Sequence, residues 1–214
     1  MPTNEIHVVL IDNHDSFVYN LVDAFATSGY RCTVFRNTVD VAEVLAAQPD
    51  LICLSPGPGH PTEAGNLMSL IEKTLGRIPL LGICLGFQAL LEHLGGSVRP
   101  CGPVHGKMDY MTLSAAGLAS PLFTGLAVDA GPENNFIGQL VPIARYHSLG
   151  CLVAAAPTEI TTLSSSSSET GPVVMAAQMA AGTAIGLQFH PESILSPTGP
   201  IILERCIDML VSSR

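Results

Sequence analysis

The sequence predicts an α/β protein: a doubly wound, mostly parallel sheet with flanking helices and a smaller antiparallel portion. Three observations carry this expectation. Short apolar runs alternate with helical patterns through the first half, the βαβ rhythm of a parallel sheet. The hydrophobic fraction is 47% with 5% aromatic residues, a balance that suits small-residue packing between helices and a sheet. In the second half, apolar runs are joined by short turns, which suggests antiparallel pieces.

His7-Val8-Val9-Leu10-Ile11-Asp12 reads as the first strand and ends at Asn13-His14-Asp15-Ser16, where Asp15 or Ser16 is placed to cap a helix. That helix buries Phe17, Leu21, Val22 and Phe25 at helical spacing, and Gly29 closes it. Cys32-Thr33-Val34-Phe35 is a second strand, residues 41–47 a weak helix, and Leu51-Ile52-Cys53-Leu54 a third strand before Ser55-Pro56-Gly57-Pro58-Gly59. A helix over 63–75 leads to the strand ahead of Cys84. Ligands of such sheets collect outside the carboxyl ends of the strands, where Asp12, Ser55 and Cys84 fall. Further on, Ala144-Arg145-Tyr146-His147-Ser148-Leu149 follows an exposed loop over 131–139. Residues 173–178 and 184–189 form a hairpin through Ala181-Gly182, Ser164 to Ser168 is a strand end, and Ser196-Pro197-Thr198-Gly199-Pro200 opens a terminal helix. Its inner face carries Ile202, Cys206, Met209 and Leu210.

At 214 residues the chain has the length of one domain, 1–214. A net charge of −9, with nine Lys and Arg, argues against nucleic acid or an anionic membrane as partner. No charged-then-apolar leader precedes Ile6 and the apolar runs are too short to span a bilayer, so a cytoplasmic protein is expected. Six cysteines are scattered without CxxC or His-rich spacing; free thiols, and no metal site, follow.

The most informative stretch is Gly82-Ile83-Cys84-Leu85-Gly86, where a buried strand meets a helix at a cysteine with a glycine two residues to either side. This is the layout of a nucleophile elbow, with sulfur in place of a hydroxyl, and the helix that follows favours a thiolate. A thiol nucleophile needs a base and a group to orient it. Gln188-Phe189-His190-Pro191-Glu192 offers both, with Glu192 on the same side as His190 if the segment is extended. The Pro-Gly-Pro-Gly segment lacks the Gly-Lys-Ser/Thr of a phosphate loop; instead the N–H groups of Gly57 and Leu85 are placed to form an oxyanion hole.

Together, Gly82-Ile83-Cys84-Leu85-Gly86-Phe87-Gln88, the Ser55 to Gly59 segment and Gln188-Phe189-His190-Pro191-Glu192-Ser193 resemble the class I (triad) glutamine amidotransferases. Asp12-Asn13-His14-Asp15-Ser16-Phe17-Val18-Tyr19-Asn20 and Arg145-Tyr146-His147-Ser148-Leu149 narrow the resemblance to the glutaminase subunits of anthranilate and para-aminobenzoate synthesis. The resemblance implies that Cys84 attacks the side-chain amide of L-glutamine, that His190 moves the protons and that Glu192 orients His190. It further implies that Gly57 and Gly59 line the glutamine pocket, that Gln88 recognises the substrate, and that Ser148 and Leu149 contact its α-amino and carboxylate end. His147 is expected to be a structural neighbour. The implied partner is a chorismate-using synthase subunit, with no cofactor on this chain and magnesium on the synthase.

Two stretches depart from the resemblance. Residues 131–139 make a longer connection than usual, and Met108-Asp109-Tyr110 stands after His105-Gly106-Lys107 where relatives often carry a serine, in a region expected near the synthase partner. Amidotransferases of nucleotide synthesis rank lower, because this chain stops at Arg214 soon after the triad. The competing readings are the same chemistry serving 4-amino-4-deoxychorismate (folate) synthesis or both pathways, a regulatory subunit without turnover, and a thiol hydrolase for another substrate.

Overall fold

Alternation along the first strand decides the architecture. Val8 and Leu10 point into one apolar layer, Val9 and Ile11 into another, and none is more than 1% exposed, so both faces of the sheet require cover. The structure, a computed structural model, describes residues 5–104 and 106–212. His105 and Arg214 lie outside the described residues.

In chain order the first half is β1 (His7–Asp12), α1 (Val18–Thr27), β2 (Arg31–Arg36), α2 (Val41–Ala46), β3 (Leu51–Leu54), α3 (Leu67–Thr74), β4 (Leu80–Ile83) and α4 (Leu85–His93). The second half is β5 (Val98–Pro100), β6 (Lys107–Leu113), α5 (Ala115–Ala119), β7 (Leu140–Arg145), β8 (Leu149–Cys151), β9 (Thr161–Ser166), β10 (Val173–Met179), β11 (Ala184–Leu187) and α6 (Gly199–Val211). A nine-stranded sheet runs β2-β1-β3-β4-β11-β10-β9-β6-β7. It is parallel from β2 to β11 and antiparallel beyond. Leu21 and Phe25 of α1 and Ile202, Cys206 and Leu210 of α6 pack with Leu81, Ile83 and Ile185 on one face. Val44 of α2, Leu67 and Ile71 of α3 and Phe87 and Leu90 of α4 pack with Ile52 and Leu54 on the other. The predicted fold class stands, with an antiparallel portion of β10, β9, β6 and β7.

Several local expectations are corrected. The helix expected over 63–75 is split: Pro61–Glu63 is a 3₁₀ turn and α3 begins at Leu67, because Gly65 sits at φ 57°, a conformation no helix contains. Asp15 Oδ1 accepts from the N–H of Phe17 at 2.7 Å, so α1 starts at Val18, with Val22 half-buried. The run from Ala144 to Leu149 is broken, since β7 belongs to the large sheet and β8 pairs with β5 in a second sheet. Residues 146–148 are thereby free to leave the sheet. Six free cysteines are present, five of them buried, as expected for thiols used as small apolar groups.

Candidate active site

β4 delivers Cys84 into a sharp turn at φ 50° and ψ −102°, outside the regions ordinary residues occupy. Such a conformation costs on the order of 1–3 kcal/mol and persists only where the surroundings enforce it. Here the N–H of Cys84 donates to Leu187 O at 2.8 Å, and its carbonyl accepts the first bond of α4 from the N–H of Gln88 at 2.9 Å. The N–H groups of Leu85, Gly86 and Phe87 precede that bond and have no partner within the helix. Gly82 and Gly86 allow the turn to close: a Cβ on Gly82 would lie 2.8 Å from the backbone of Gly86.

His190 comes from the segment after β11, the strand beside β4. Its N–H donates to Ala144 O at 3.1 Å, and its carbonyl accepts from Ser196 Oγ at 2.7 Å. Nδ1 donates to Glu192 Oε1 at 2.7 Å, which turns the other ring nitrogen to Cys84. The expected contact is present, but not through extended backbone. His190 to Ser193 is a turn, closed by the N–H of Ser193 on His190 O at 3.3 Å, and this turn folds Glu192 back against the ring. Burial disfavours the charged imidazole, yet the hydrogen bonds and charges of Cys84 and Glu192 outweigh it and hold the His190 pKa up at about 11. Phe17 and Tyr146 enclose the ring: the centroids of Phe17, Tyr146 and His190 are 5.1 Å apart pairwise.

A cavity of about 280 Å³ opens beside the sulfur, lined by Gly57, Pro58, Gly59, Cys84, Gln88, Tyr146, His147, Ser148 and Leu149. The structure thus brings Gly57, Gly59, Gln88, Ser148 and Leu149 to one cavity with Cys84. Leu85 stands behind Gly57, and a Cβ on that glycine would lie 2.6 Å from Leu85 Cδ2 and 2.6 Å from Asn13 Cβ. Gln88 donates from Nε2 to Leu149 O at 2.9 Å, which ties the helix to the far wall. His147 is buried, and desolvation together with the charge of Arg145 pushes its pKa down to about 4, so the ring is neutral near pH 7. Its Nε2 accepts from Arg145 Nε at 3.2 Å and its Nδ1 donates to Leu149 O at 2.9 Å, a structural neighbour as expected.

Residues not singled out from the sequence also build the site. Tyr146 lines the cavity and its hydroxyl lies 3.3 Å from Ser193 Oγ. Asn13 anchors the Ser55 turn, its N–H donating to Ser55 Oγ and its Nδ2 to Ser55 O, both at 2.9 Å. Arg145, 2% exposed, is paired with Asp109 at 2.7 Å. Each lies in a motif already quoted, but only the folded contacts assign its task. Among the described residues no group of three or more His, Cys, Asp or Glu is placed to hold a metal ion, and no helix is long and apolar enough to cross a membrane.

Known proteins resemble this chain along nearly its whole length. The family model described as "Glutamine amidotransferase class-I" matches residues 9–209. A Corynebacterium glutamicum protein named anthranilate synthase component 2 is 67% identical over 208 residues, covering 97% of this chain and 99% of that one. A Haemophilus influenzae protein of the same name is 36% identical, covering 96% and 98%. A solved glutamine amidotransferase from Thermotoga maritima superposes with a TM-score of 0.64 at 19% identity over 97% of this chain and 96% of that one, a likeness of fold.

Proposed function

The chain belongs to the class-I glutamine amidotransferase family, and from that premise we infer that it is the glutaminase subunit of an anthranilate synthase. The observation that carries the chemistry is the convergence of Cys84, His190 and Glu192 at one end of the β4–β11 pair, beside a cavity of about 280 Å³. In this reading the Cys84 sulfur attacks the side-chain carbonyl carbon of glutamine. The N–H groups of Gly57 and Leu85 take the developing oxyanion charge. His190, protonated on the nitrogen facing the sulfur, gives that proton to the amide nitrogen; the C–N bond breaks and ammonia leaves. His190 then removes a proton from water, which attacks the thioester, and glutamate departs as the sulfur is restored. Glu192 holds Nδ1 throughout. Gln88, Ser148 and Leu149 hold the amino acid end of the substrate, and the whole of 1–214 acts as one domain.

The cavity lining carries no Lys or Arg to pair with the two carboxylates of chorismate, and in this reading ammonia passes to a synthase subunit that binds it. The relatives named anthranilate synthase component 2 support assignment to anthranilate over aminodeoxychorismate. The test is glutamate release by the purified chain, alone and with each type of synthase plus chorismate. Stimulation by the aminodeoxychorismate-type enzyme alone would overturn the pathway assignment.

A further inference from the structure

Cys84 has a polar neighbour besides His190. Gln188 Nε2 lies 3.6 Å from Cys84 Sγ, although the two residues are 104 apart in sequence. The sheet explains the meeting: Ile83 is paired with Leu187 across β4 and β11, so Cys84 and Gln188 leave neighbouring parallel strands at the same level. Gln188 is fully buried, and its N–H is fixed to Met175 O at 2.8 Å.

What matters is which end of the amide faces the sulfur, and the surrounding bonds decide it. Leu149 O can only accept, so Gln88 must present its NH₂ group there, at 2.9 Å. The second hydrogen of the same NH₂ points to Gln188, whose contact atom at 3.2 Å must therefore be the oxygen. With Oε1 committed to Gln88, Nε2 of Gln188 is left to donate to Cys84. The other donor to Leu149 O is fixed independently. Arg145 is an obligate donor, so His147 Nε2 accepts from it and Nδ1–H turns to the same carbonyl. Each donor on Leu149 O is thus oriented by a partner that allows no alternative.

We propose that Gln188 is a further catalytic residue of the glutaminase reaction, its side-chain N–H donating to Cys84 Sγ so as to favour thiolate over thiol. The inference rests on Cys84 being the nucleophile. A hydrogen bond to an ionised acceptor is roughly twice as strong as one to a neutral acceptor, so a fixed donor shifts the balance toward the anion. Because the donor is held by Gln88 and by the Met175 carbonyl of β10, it needs no rearrangement when glutamine enters.

The test is the pH dependence of iodoacetamide alkylation at Cys84, read by peptide mass spectrometry on the full chain without glutamine. Cys84→Ser is the blank. Gln188→Met keeps the length and removes the donor; Gln188→Leu removes it without adding charge and carries the test if the Met variant loses its far-UV circular dichroism. The expected result is an upward shift of about one pH unit in the midpoint of the profile, with alkylation about tenfold slower at pH values below the wild-type midpoint. An unchanged midpoint, including one accompanied by uniformly slower alkylation at every pH, would overturn the proposal. Failure of the functional reading is separate: a wild-type chain that releases no glutamate with any synthase counts against that reading, because alkylation is measured without substrate or partner.

Discussion

Gly86 packs directly against the backbone of Leu54: a Cβ on Gly86 would lie 2.2 Å from the Leu54 carbonyl oxygen and 2.6 Å from its Cβ. The neighbouring atoms are backbone and strand side chain in the middle of the sheet, so relief requires α4 to move off β3. Gly86→Ala is expected to lower stability by about 2 kcal/mol. Urea unfolding measures that loss, and a variant as stable as wild type would show that α4 has room to shift.

Cys84→Ser is expected to reduce glutamine-dependent synthesis by the assembled complex by about 10⁴-fold or more, since the hydroxyl cannot replace the sulfur in this elbow. Synthesis from free ammonia should be retained. Anthranilate formation from each nitrogen source measures both; loss of the ammonia route with the complex intact would contradict the division of labour between the two chains.

A side chain at Gly57 meets Asn13 and Leu85 at 2.6 Å, so Gly57→Ala pushes the Ser55 turn away from Cys84 and misplaces its N–H. The expected cost is about 10² in kcat, with KM for glutamine less affected, because the oxyanion forms only in the transition state. Steady-state kinetics separate the two. A change confined to KM would place Gly57 in ground-state binding.

His147 and His190 give opposite pH dependences. The folded pKa of His147 is pushed down to about 4 from an ordinary 6.5, so the unfolded chain binds the extra proton first. Its contribution is complete above about pH 6.5 and is lost as the pH falls toward 4, on the order of 3 kcal/mol in all. His190 is raised, so its contribution is complete below about pH 6.5 and is lost progressively as the pH rises from there towards about 11. Between pH 7 and 4, His147→Gln is expected to lose stability less steeply than wild type. Denaturation midpoints across that range measure the difference, and parallel curves would refute the assignment.

The elbow was legible because its constraint is local: Gly82 and Gly86 must be small wherever a strand turns into a helix at Cys84. β3 was likewise legible to the residue, as a short apolar run with a glycine- and proline-rich stretch after it. β6 was not, and its burial explains why. Met108 and Tyr110 are exposed while Asp109 shares the inner side with the buried Met111, so apolar residues occupy both faces and no alternation marks the strand. Only the pairing with Arg145 accounts for an acid there. Gln188 was hidden for another reason. Its meaning depends on the β4–β11 register, a relation between segments that no local pattern encodes.

The triangle of Phe17, Tyr146 and His190 also makes the site visible in solution. The chain contains no tryptophan and has four tyrosines, so the emission of Tyr146 is not drained by energy transfer to an indole. Of these, Tyr146 lines the cavity and meets the imidazole edge-on. Glutamine entering the cavity, or a change of charge on His190, alters the surroundings of that phenol directly. The protein therefore carries its own optical probe, and ultraviolet fluorescence can follow occupancy of the pocket without a dye or a label.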